Sequence, residues 1–291
     1  MPQSIVSFHP LLLADDNRLL ISQRPLYRAD CLAVARSAAV ILPQVCRPDL
    51  FQLVAGLGRP HFPRAAIHLS LDGKVGNHLL FKRLGLPHPP TGSYETLEEA
   101  VEAWRGGQAL AAGLRPPLVV KGAGGGEGKN VFLVHNPGDL AALKGHLTTL
   151  CQNGPSGLVL QPYVDCGGWD ARAIFIGDWE DAFWRVGRPG DFRSNLSQGG
   201  RVERSARQED LKAALDLARR LRRKAGLDLA AVDLLVPRGG SPLLLEVNFY
   251  FGRQALGGSR PFLSRYLEAV QGWLAKLGLD PQRVKLDQEA L

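Results

Sequence analysis

The sequence is poor in the features that mark several protein classes. Its four cysteines lie far apart and form no Cys-x-x-Cys pair, so neither a zinc site nor a disulfide framework is predicted, and we interpret them as reduced thiols. No apolar run approaches membrane-spanning length, and the N-terminal segment meets acidic residues without a preceding basic stretch. We therefore expect a cytoplasmic protein with neither a secretory signal nor a membrane partner.

Two common nucleotide-binding motifs are also missing, although a glycine-rich loop is present in PLVVKGAGGGEGKNVFLV, residues 117–134. A Walker phosphate loop would require glycine at Ala123 and a hydroxyl at Asn130. The dinucleotide fingerprint would require glycine at Glu127 and a helix start where residues 131–134 predict a strand. Both motifs are excluded.

The glycine loop instead joins two predicted strands, which indicates a hairpin. Its five glycines exceed what a turn requires, and Lys121 directly precedes them. We expect a flap that covers phosphate, and a flexible hairpin turn is the alternative.

Basic residues outnumber acidic ones, and the net charge of +7 favours a nucleotide, an acidic peptide or nucleic acid as a partner. Part of this charge lies in ARRLRRKAG, residues 218–226, within a helical pattern. Its predicted apolar stripe is Leu211, Ala214, Leu215, Ala218 and Leu221. The basic residues then form the solvated side and the last turn of a helix. No aromatic residues are interleaved with them, so nucleic-acid binding is not favoured.

The order of patterns predicts a mixed α+β protein. Near the N-terminus the apolar runs AAVILP and AAIHLSL are predicted strands, separated by a helical pattern and by proline-rich turns such as GRPHFPR. A helix capped by Asp72 and ended by Gly85 follows, then helices at about 97–104 and 139–150 around the glycine hairpin. From Ala171 onward, ARAIFIGD and DAFWRVG predict antiparallel strands.

The final hairpin, AAVDLLVPRGGSPLLLEVNFY, predicts a metal site. A turn centred on Gly239-Gly240 places Asp233 opposite Glu246, and Asn248 projects to the same face because side chains alternate along a strand. Opposed carboxylates between apolar strands require a cation, and Mg²⁺ suits their oxygen atoms. The alternative is a polar edge that faces solvent.

The loop GRPGDFRSNLSQGGRVER supplies donors that could converge on an oxyanion or a phosphoryl group. The candidate side chains on or beside this loop are Arg185, Arg188, Arg193 and Asn195. Backbone N–H groups at Gly199-Gly200 would add a nest, and a solvated basic loop is the alternative. Lys74, in the first turn of a predicted helix, opposes the helix dipole, which a nearby phosphate or simple solvent exposure would explain.

In chain order, GLPHPPT, the glycine flap, LQPYV, DAR, DFRSNLSQGG, VDLL and LLEVN resemble the ATP-grasp family, and within it the RimK-type ligases that add glutamate to ribosomal-protein tails. The resemblance covers about residues 71–248. It implies an ATP-grasp fold with a short N-terminal α/β domain at 1–71, a lid subdomain with the glycine flap at 72–164, and a C-terminal catalytic subdomain with an antiparallel sheet at 165–291.

The resemblance also implies site residues and cofactors. ATP would be bound by Lys74, Lys121, Gly125, Gly126, Gly128, Gln161, Pro162, Tyr163, Val164 and Asp170. The triphosphate and acyl-phosphate would face Arg172, Arg185, Arg193 and Asn195. Mg²⁺, or Mn²⁺ in its place, would be held by Asp233, Glu246 and Asn248.

The implied activity is carboxylate–amine ligation through an acyl-phosphate. The expected substrate is an amino acid, a small peptide or a peptide tail that provides the carboxylate or the amine. Alternatives are an ATP-grasp kinase that phosphorylates a small molecule, an inactive nucleotide-binding module and, more distantly, a nucleic-acid binder. The sequence does not decide whether the protein forms a homo-oligomer.

Three departures from the family pattern stand out. Pro162 replaces the usual acidic hinge residue, and Asn130 replaces a late flap glycine. After LLEVN, the segment FYFGRQALGG replaces a loop of small residues, in the region where the resemblance places the substrate. We expect its aromatics to narrow the pocket and Arg253 to orient an acidic substrate group. The alternative is that Arg253 pairs with a neighbouring acidic side chain.

Overall fold

The computed structural model describes residues 4–20, 24–122, 130–146, 157–190, 193–196 and 199–287. The protein is mixed α+β, as predicted. Its α-helices are α1 Arg28–Arg36, α2 Pro48–Gly56, α3 Ala66–Leu71, α4 Gly73–Leu84, α5 Leu97–Arg105, α6 Gln108–Ala111, α7 Pro137–Ala142, α8 Gln208–Ala225 and α9 Ser259–Lys276. Its strands are β1 Ser4–Ser7, β2 Leu12–Leu13, β3 Asp16–Asn17, β4 Ser37–Ile41, β5 His61–Phe62, β6 Gly92–Tyr94, β7 Leu118–Gly122, β8 Val131–Val134, β9 Leu158–Pro162, β10 Trp169–Ile176, β11 Trp179–Val186, β12 Arg201–Glu203, β13 Leu229–Leu235, β14 Leu243–Asn248 and β15 Lys285–Leu286.

The N-terminal sheet is parallel, with strand order β3-β1-β4-β5. AAVILP contributes to β4, as predicted, but the prediction of a strand at AAIHLSL is wrong, because these residues form α3. A short apolar run fits either period, and here it packs against α4 with only part of its surface covered. The strand at this point of the sheet is β5, inside the proline-rich segment that we predicted as a turn.

Helix α4 lies where the sequence predicts it. It begins after Asp72 and ends at Gly85, whose φ of 61° is the left-handed conformation that favours glycine. The side chain of Asp72 makes no capping hydrogen bond, so that detail of the prediction is wrong. Asn77 ties the helix to the C-terminal half of the chain, since its Oδ1 accepts a hydrogen bond from the backbone N–H of Val247.

The glycine loop belongs to an antiparallel sheet of order β6-β9-β7-β8, named here the flap sheet. Helices α5 and α7 pack on this sheet and share its core, which includes Trp104, Leu118 and Leu160. Strands β7 and β8 pair directly, which confirms the predicted hairpin. The predicted flap residues Gly125, Gly126 and Gly128 lie outside the described residues. So do residues 147–150, at the end of the helix predicted to reach Leu150.

A second antiparallel sheet of order β12-β11-β10-β13-β14, named here the central sheet, confirms the predicted strands after Ala171. One face packs against α4 and α8, and the other packs against α9 and the N-terminal sheet. Along the second face of β10, Ile174 and Ile176 are apolar, whereas Asp170 and Arg172 continue the same face. One end of this face therefore belongs to the apolar core, and the other end carries charged side chains.

Helix α8 carries the basic run. Its buried side is Leu211, Ala214, Leu217, Ala218 and Leu221, and Leu215 of the predicted stripe packs against the same core while partly buried. Arg219 pairs with Glu180 and Asp216, and Lys224 donates to the carbonyl of Leu84. Much of the charge is thus used in local contacts, in keeping with a solvated helix face.

The end of the chain returns to its beginning. Strand β15 pairs with β2, and Tyr266 of α9 donates to the carbonyl oxygen of Leu42 at 3.0 Å. No helix in the described ranges combines the length and apolar character needed to cross a bilayer. The domain boundaries at 71 and 164 stay predictions, and α4 packs on the central sheet.

Candidate active site

A cavity of about 770 Å³ lies between the flap sheet and the polar part of the central sheet. This volume is within the range of small-molecule sites. Arg188, one of the candidate donors, does not line it. The other predicted site side chains that the structure describes do: Lys74, Lys121, Gln161, Pro162, Tyr163, Val164, Asp170, Arg172, Arg185, Arg193, Asn195, Asp233, Glu246, Asn248 and Arg253. The structure therefore brings together residues from both halves of the sequence, while their individual roles stay predictions.

Lys121, the last residue but one of strand β7, lines this cavity. Its Nζ donates to Gln161 Oε1 at 2.7 Å, and Gln161 Nε2 donates to Thr91 Oγ1 at 2.9 Å. Burial lowers the pKa of Lys121 to about 8, with Glu246 opposing that shift. The Gln161 side chain is thus engaged with the lysine, which sequence reasoning missed, as it missed Thr91. A single threonine after a proline run carries no signal for this contact.

The predicted hinge follows directly. Pro162 ends β9, and the backbone N–H of Tyr163 donates to the carbonyl of Pro117 at 2.8 Å. This bond extends the flap sheet by one residue beyond the strand. The hinge segment from Gln161 to Val164 therefore forms a fixed wall of the cavity, and its contact with adenine stays a prediction.

Four buried charges form a connected network on the floor of the cavity. Arg172 lies opposite Asp233 and binds both of its carboxylate oxygens, at 2.7 and 2.8 Å. Arg185 lies opposite Asp170, with Nε 2.7 Å from Oδ1, and its Nη2 is 3.0 Å from Asp233 Oδ2. Burial favours a neutral Asp233, but the two guanidinium groups outweigh it and hold the pKa below its usual value.

This network bears on three expectations drawn from the sequence. Arg185 lies near the end of β11, beside the following loop as predicted, and is 3% exposed. Asp170, the predicted ribose ligand, is paired with Arg185. The charge of Asp233 is neutralised by guanidinium groups, so the required cation is supplied at least in part by the protein itself.

The predicted register of the last hairpin is confirmed, with Asp233 opposite Glu246. Asn248 Nδ2 donates to Asp233 Oδ2 at 3.2 Å, which leaves the amide oxygen of Asn248 as an available ligand. Burial and then Asp233 raise the pKa of Glu246, while Lys74 and Lys121 lower it. Glu246 and Asn248 thus present two hard oxygen donors, which fit Mg²⁺ or Mn²⁺. No cluster of three His, Cys, Asp or Glu side chains that could hold a metal occurs among the described residues. Substrate phosphates would have to complete the coordination of a bound ion.

The loop after β11 brings Arg193 and Asn195 to the cavity. The predicted nest at Gly199-Gly200 is wrong in this arrangement: Gly199 N–H donates to Leu196 O at 3.0 Å and Gly200 N–H donates to Asn195 O at 3.2 Å. Both donors close the loop and do not face an anion.

The residues that follow Asn248 lie in two different environments. Phe249 is buried in the core under the central sheet and stacks on His68, with ring centroids 4.7 Å apart, so it does not narrow the cavity as expected. Tyr250, Phe251 and Arg253 do line the cavity.

A family model described as a RimK-like ATP-grasp domain matches residues 85–257. The chain belongs to this family. A probable alpha-L-glutamate ligase of Parasynechococcus marenigrum is 30% identical over 211 residues, which cover 70% of this chain and 42% of that protein. The chain spans about half the length of the curated relatives it matches.

Solved structures confirm the ATP-grasp fold. A RimK domain ATP-grasp protein from Sphaerobacter thermophilus has a TM-score of 0.55 and 17% identity, over 91% of this chain and 98% of that one. Carboxyaminoimidazole ribonucleotide synthase from Aspergillus clavatus, complexed with ATP, has a TM-score of 0.54 and 15% identity, over 76% and 56%.

Proposed function

We propose that this RimK-like ATP-grasp protein is an ATP-dependent carboxylate–amine ligase. The observation that carries the proposal is one cavity holding two lysines, Lys74 and Lys121, together with the oxygen donors Glu246 and Asn248 and several guanidinium groups. Phosphoryl transfer needs mainly positioning and neutralisation of charge, and these groups supply both.

The reaction proceeds in two balanced steps. The γ-phosphoryl group of ATP passes to a substrate carboxylate, which gives an acyl-phosphate and ADP. An amine then attacks the acyl carbon, phosphate leaves with the C–O bond electrons, and the amine loses a proton to leave an amide. Lys74 and Lys121 bind the ATP phosphates, and Arg172, Arg193 and Asn195 face the acyl-phosphate.

The chemistry needs no protein nucleophile. Cys166 lines the cavity, but burial raises its pKa to about 11, so its thiol stays protonated near neutral pH. Glu246 and Asn248 would hold Mg²⁺ or Mn²⁺, which, when bound, neutralises phosphate charge.

The substrate class follows from the family. The curated relatives are named probable alpha-L-glutamate ligases, so L-glutamate is the first amino acid to test, followed by small peptides and peptide tails. The nucleotide is ATP, in line with the ATP complex of the Aspergillus clavatus enzyme of the same fold.

The test is to incubate purified protein with Mg-ATP and a panel of amino acids and peptides, and to follow ADP release together with product mass. ADP release that depends on an amine and yields an amide supports the ligase. A phosphorylated product formed without an amine identifies a kinase instead. Absence of nucleotide turnover with every member of the panel contradicts the proposal.

A further inference from the structure

Arg253 lies at the end of the cavity that meets the N-terminal sheet. Its Nη2 is 3.3 Å from Oε1 of Gln44, which follows β4, and its Nη1 is 3.3 Å from Oγ of Ser259, the first residue of α9. Its guanidinium carbon lies 4.1 Å from the ring centroid of Phe262. Three contacts from two parts of the fold, the segment after β4 and helix α9, therefore hold this side chain in place.

The partners of Arg253 are all neutral. They are an amide oxygen, a hydroxyl and an aromatic ring, and in the part of the chain that the structure describes Arg253 forms no ion pair. The predicted alternative of an acidic neighbour is thus absent from these contacts. A guanidinium has N–H donors beyond the two used here, and it pairs best with a carboxylate through two parallel hydrogen bonds.

Gln44 fixes the direction of the arginine. Its side chain is 8% exposed, and its Nε2 donates to the carbonyl of Phe249 at 3.1 Å, so Oε1 must face Arg253. The site is therefore ordered before a ligand arrives, which lowers the entropic cost of binding.

A buried histidine near Arg253 adds no charge beside it. His9 is buried nearby, and burial, aided by the charge of Arg253, lowers its pKa to about 4. His9 is accordingly neutral near pH 7. Tyr250, which is 72% exposed, adds an aromatic surface to the lining of the same cavity.

Building on the ligase function proposed above, we propose that Arg253 binds a carboxylate of the substrate that is not consumed in the reaction. The enzyme would then prefer an amino acid or peptide with a free acidic group, either an α-carboxylate or an acidic side chain. Gln44 and Ser259 are positioning residues for Arg253. The segment after β4 of the N-terminal sheet thereby contributes to substrate choice, because Gln44 positions Arg253.

The test compares L-glutamate with two neutralised analogues, L-glutamine and L-isoglutamine, which lack the side-chain and the α-carboxylate respectively. Arg253→Lys retains the charge but loses the paired donors. It should raise the KM for L-glutamate by about tenfold while the dissociation constant of ATP stays within about twofold. Arg253→Met should also bring the kcat/KM values of L-glutamate and of the disfavoured analogue close together, and that analogue identifies the carboxylate that Arg253 binds.

Arg265→Lys is the matched control, because Arg265, on α9, likewise stacks on an aromatic ring, Trp179, at 4.1 Å, but does not line the cavity. It should leave every constant unchanged. An unchanged KM for L-glutamate in Arg253→Lys overturns the proposal for Arg253. If that variant still forms the amide product, the proposed ligase function stands. Weakened ATP binding instead assigns Arg253 to the nucleotide and also overturns it.

A binding measurement separates this proposal from the ligase function. If no amide forms, the carboxylate site can still be tested by calorimetry. L-glutamate is titrated into protein that is saturated with Mg²⁺ and a non-hydrolysable ATP analogue. Binding that is lost in Arg253→Met supports the carboxylate site, and no binding to the unchanged protein overturns it.

Discussion

Arg172 binds both carboxylate oxygens of Asp233 across two adjacent antiparallel strands, at 2.7 and 2.8 Å. The pair is buried at 14% and 4% side-chain exposure. A charge buried at this position is tolerated because it is paired with an opposite charge. Removing one partner leaves the other charge buried without compensation for its lost hydration.

Arg172→Met should therefore lower the free energy of unfolding by about 3 kcal/mol, since Arg185 still contacts Asp233. Urea denaturation measures this loss. The control is Lys276→Met, which removes an exposed ion pair with Asp178 and should cost less than about 1 kcal/mol. Equal losses in the two variants would show that burial does not govern the energetics of the Arg172 pair. The double variant Arg172→Met with Asp233→Asn should recover part of the loss.

Gln161→Leu should weaken ATP binding by about tenfold, because Lys121 loses the charge-assisted hydrogen bond that positions its ammonium group. Calorimetric titration with Mg-ATP measures the dissociation constant, and circular dichroism checks the fold. Thr91→Val removes only the bond that orients Gln161, so a smaller effect of about twofold to threefold is expected. Tighter ATP binding in Gln161→Leu would show that Gln161 competes with phosphate for Lys121.

Glu246→Gln should leave the unfolding midpoint nearly unchanged and abolish turnover, because the amide retains the shape but loses the anionic metal ligand. Product formation in Mg-ATP and in excess chelator measures the effect. Turnover equal to that of the unchanged protein, or turnover that persists with chelator, would disprove the metal assignment.

His9 should make stability depend on pH. Its pKa is about 4 in the folded protein against 6.5 for an exposed histidine, so the unfolded chain binds the proton more readily. The stabilisation is present above pH 6.5 and is lost as the pH falls towards 4, at up to about 1.4 kcal/mol per pH unit. The midpoints of urea denaturation between pH 7.5 and about 4.5 measure this loss. The pKa of Asp30 is about 2, so the stabilisation that Asp30 provides is lost only at lower pH, outside this range.

His9→Phe is the control for that experiment. It retains a ring to stack on Tyr266, which lies 5.0 Å from His9 between centroids, but cannot take up a proton. It loses the hydrogen bond from the backbone N–H of Leu11, so a lower but flatter profile is expected. An equally steep profile in both proteins would assign the pH dependence to other groups.

Local patterns predicted the last hairpin well. The pairing of Asp233 with Glu246 depends on one short turn, and sequence symmetry about Gly239-Gly240 was sufficient. A register shift between Asp233 and Leu234 changes the pairing nearer the turn, yet the site residues keep the expected partners. The glycine hairpin was predictable for the same reason, because both strands flank a single short connection.

Contacts between distant segments were not predictable. Arg172 meets Asp233 through the pairing of strands 61 residues apart, and Gln44 meets Arg253 across 209 residues. No pattern within either segment specifies such a partner. The error at AAIHLSL has a different origin, since seven residues rich in apolar side chains suit a strand or a helix until their packing partner, α4, is known.

Helix α9 buries Phe262, Tyr266 and Val270 against the N-terminal sheet and the central sheet. A fragment that starts after α3 would uncover the part of this side that packs on the N-terminal sheet, and an exposed apolar surface of that kind promotes self-association. Shortened versions prepared for biochemistry should therefore retain the first strands. Without them, insolubility would be mistaken for a catalytic defect.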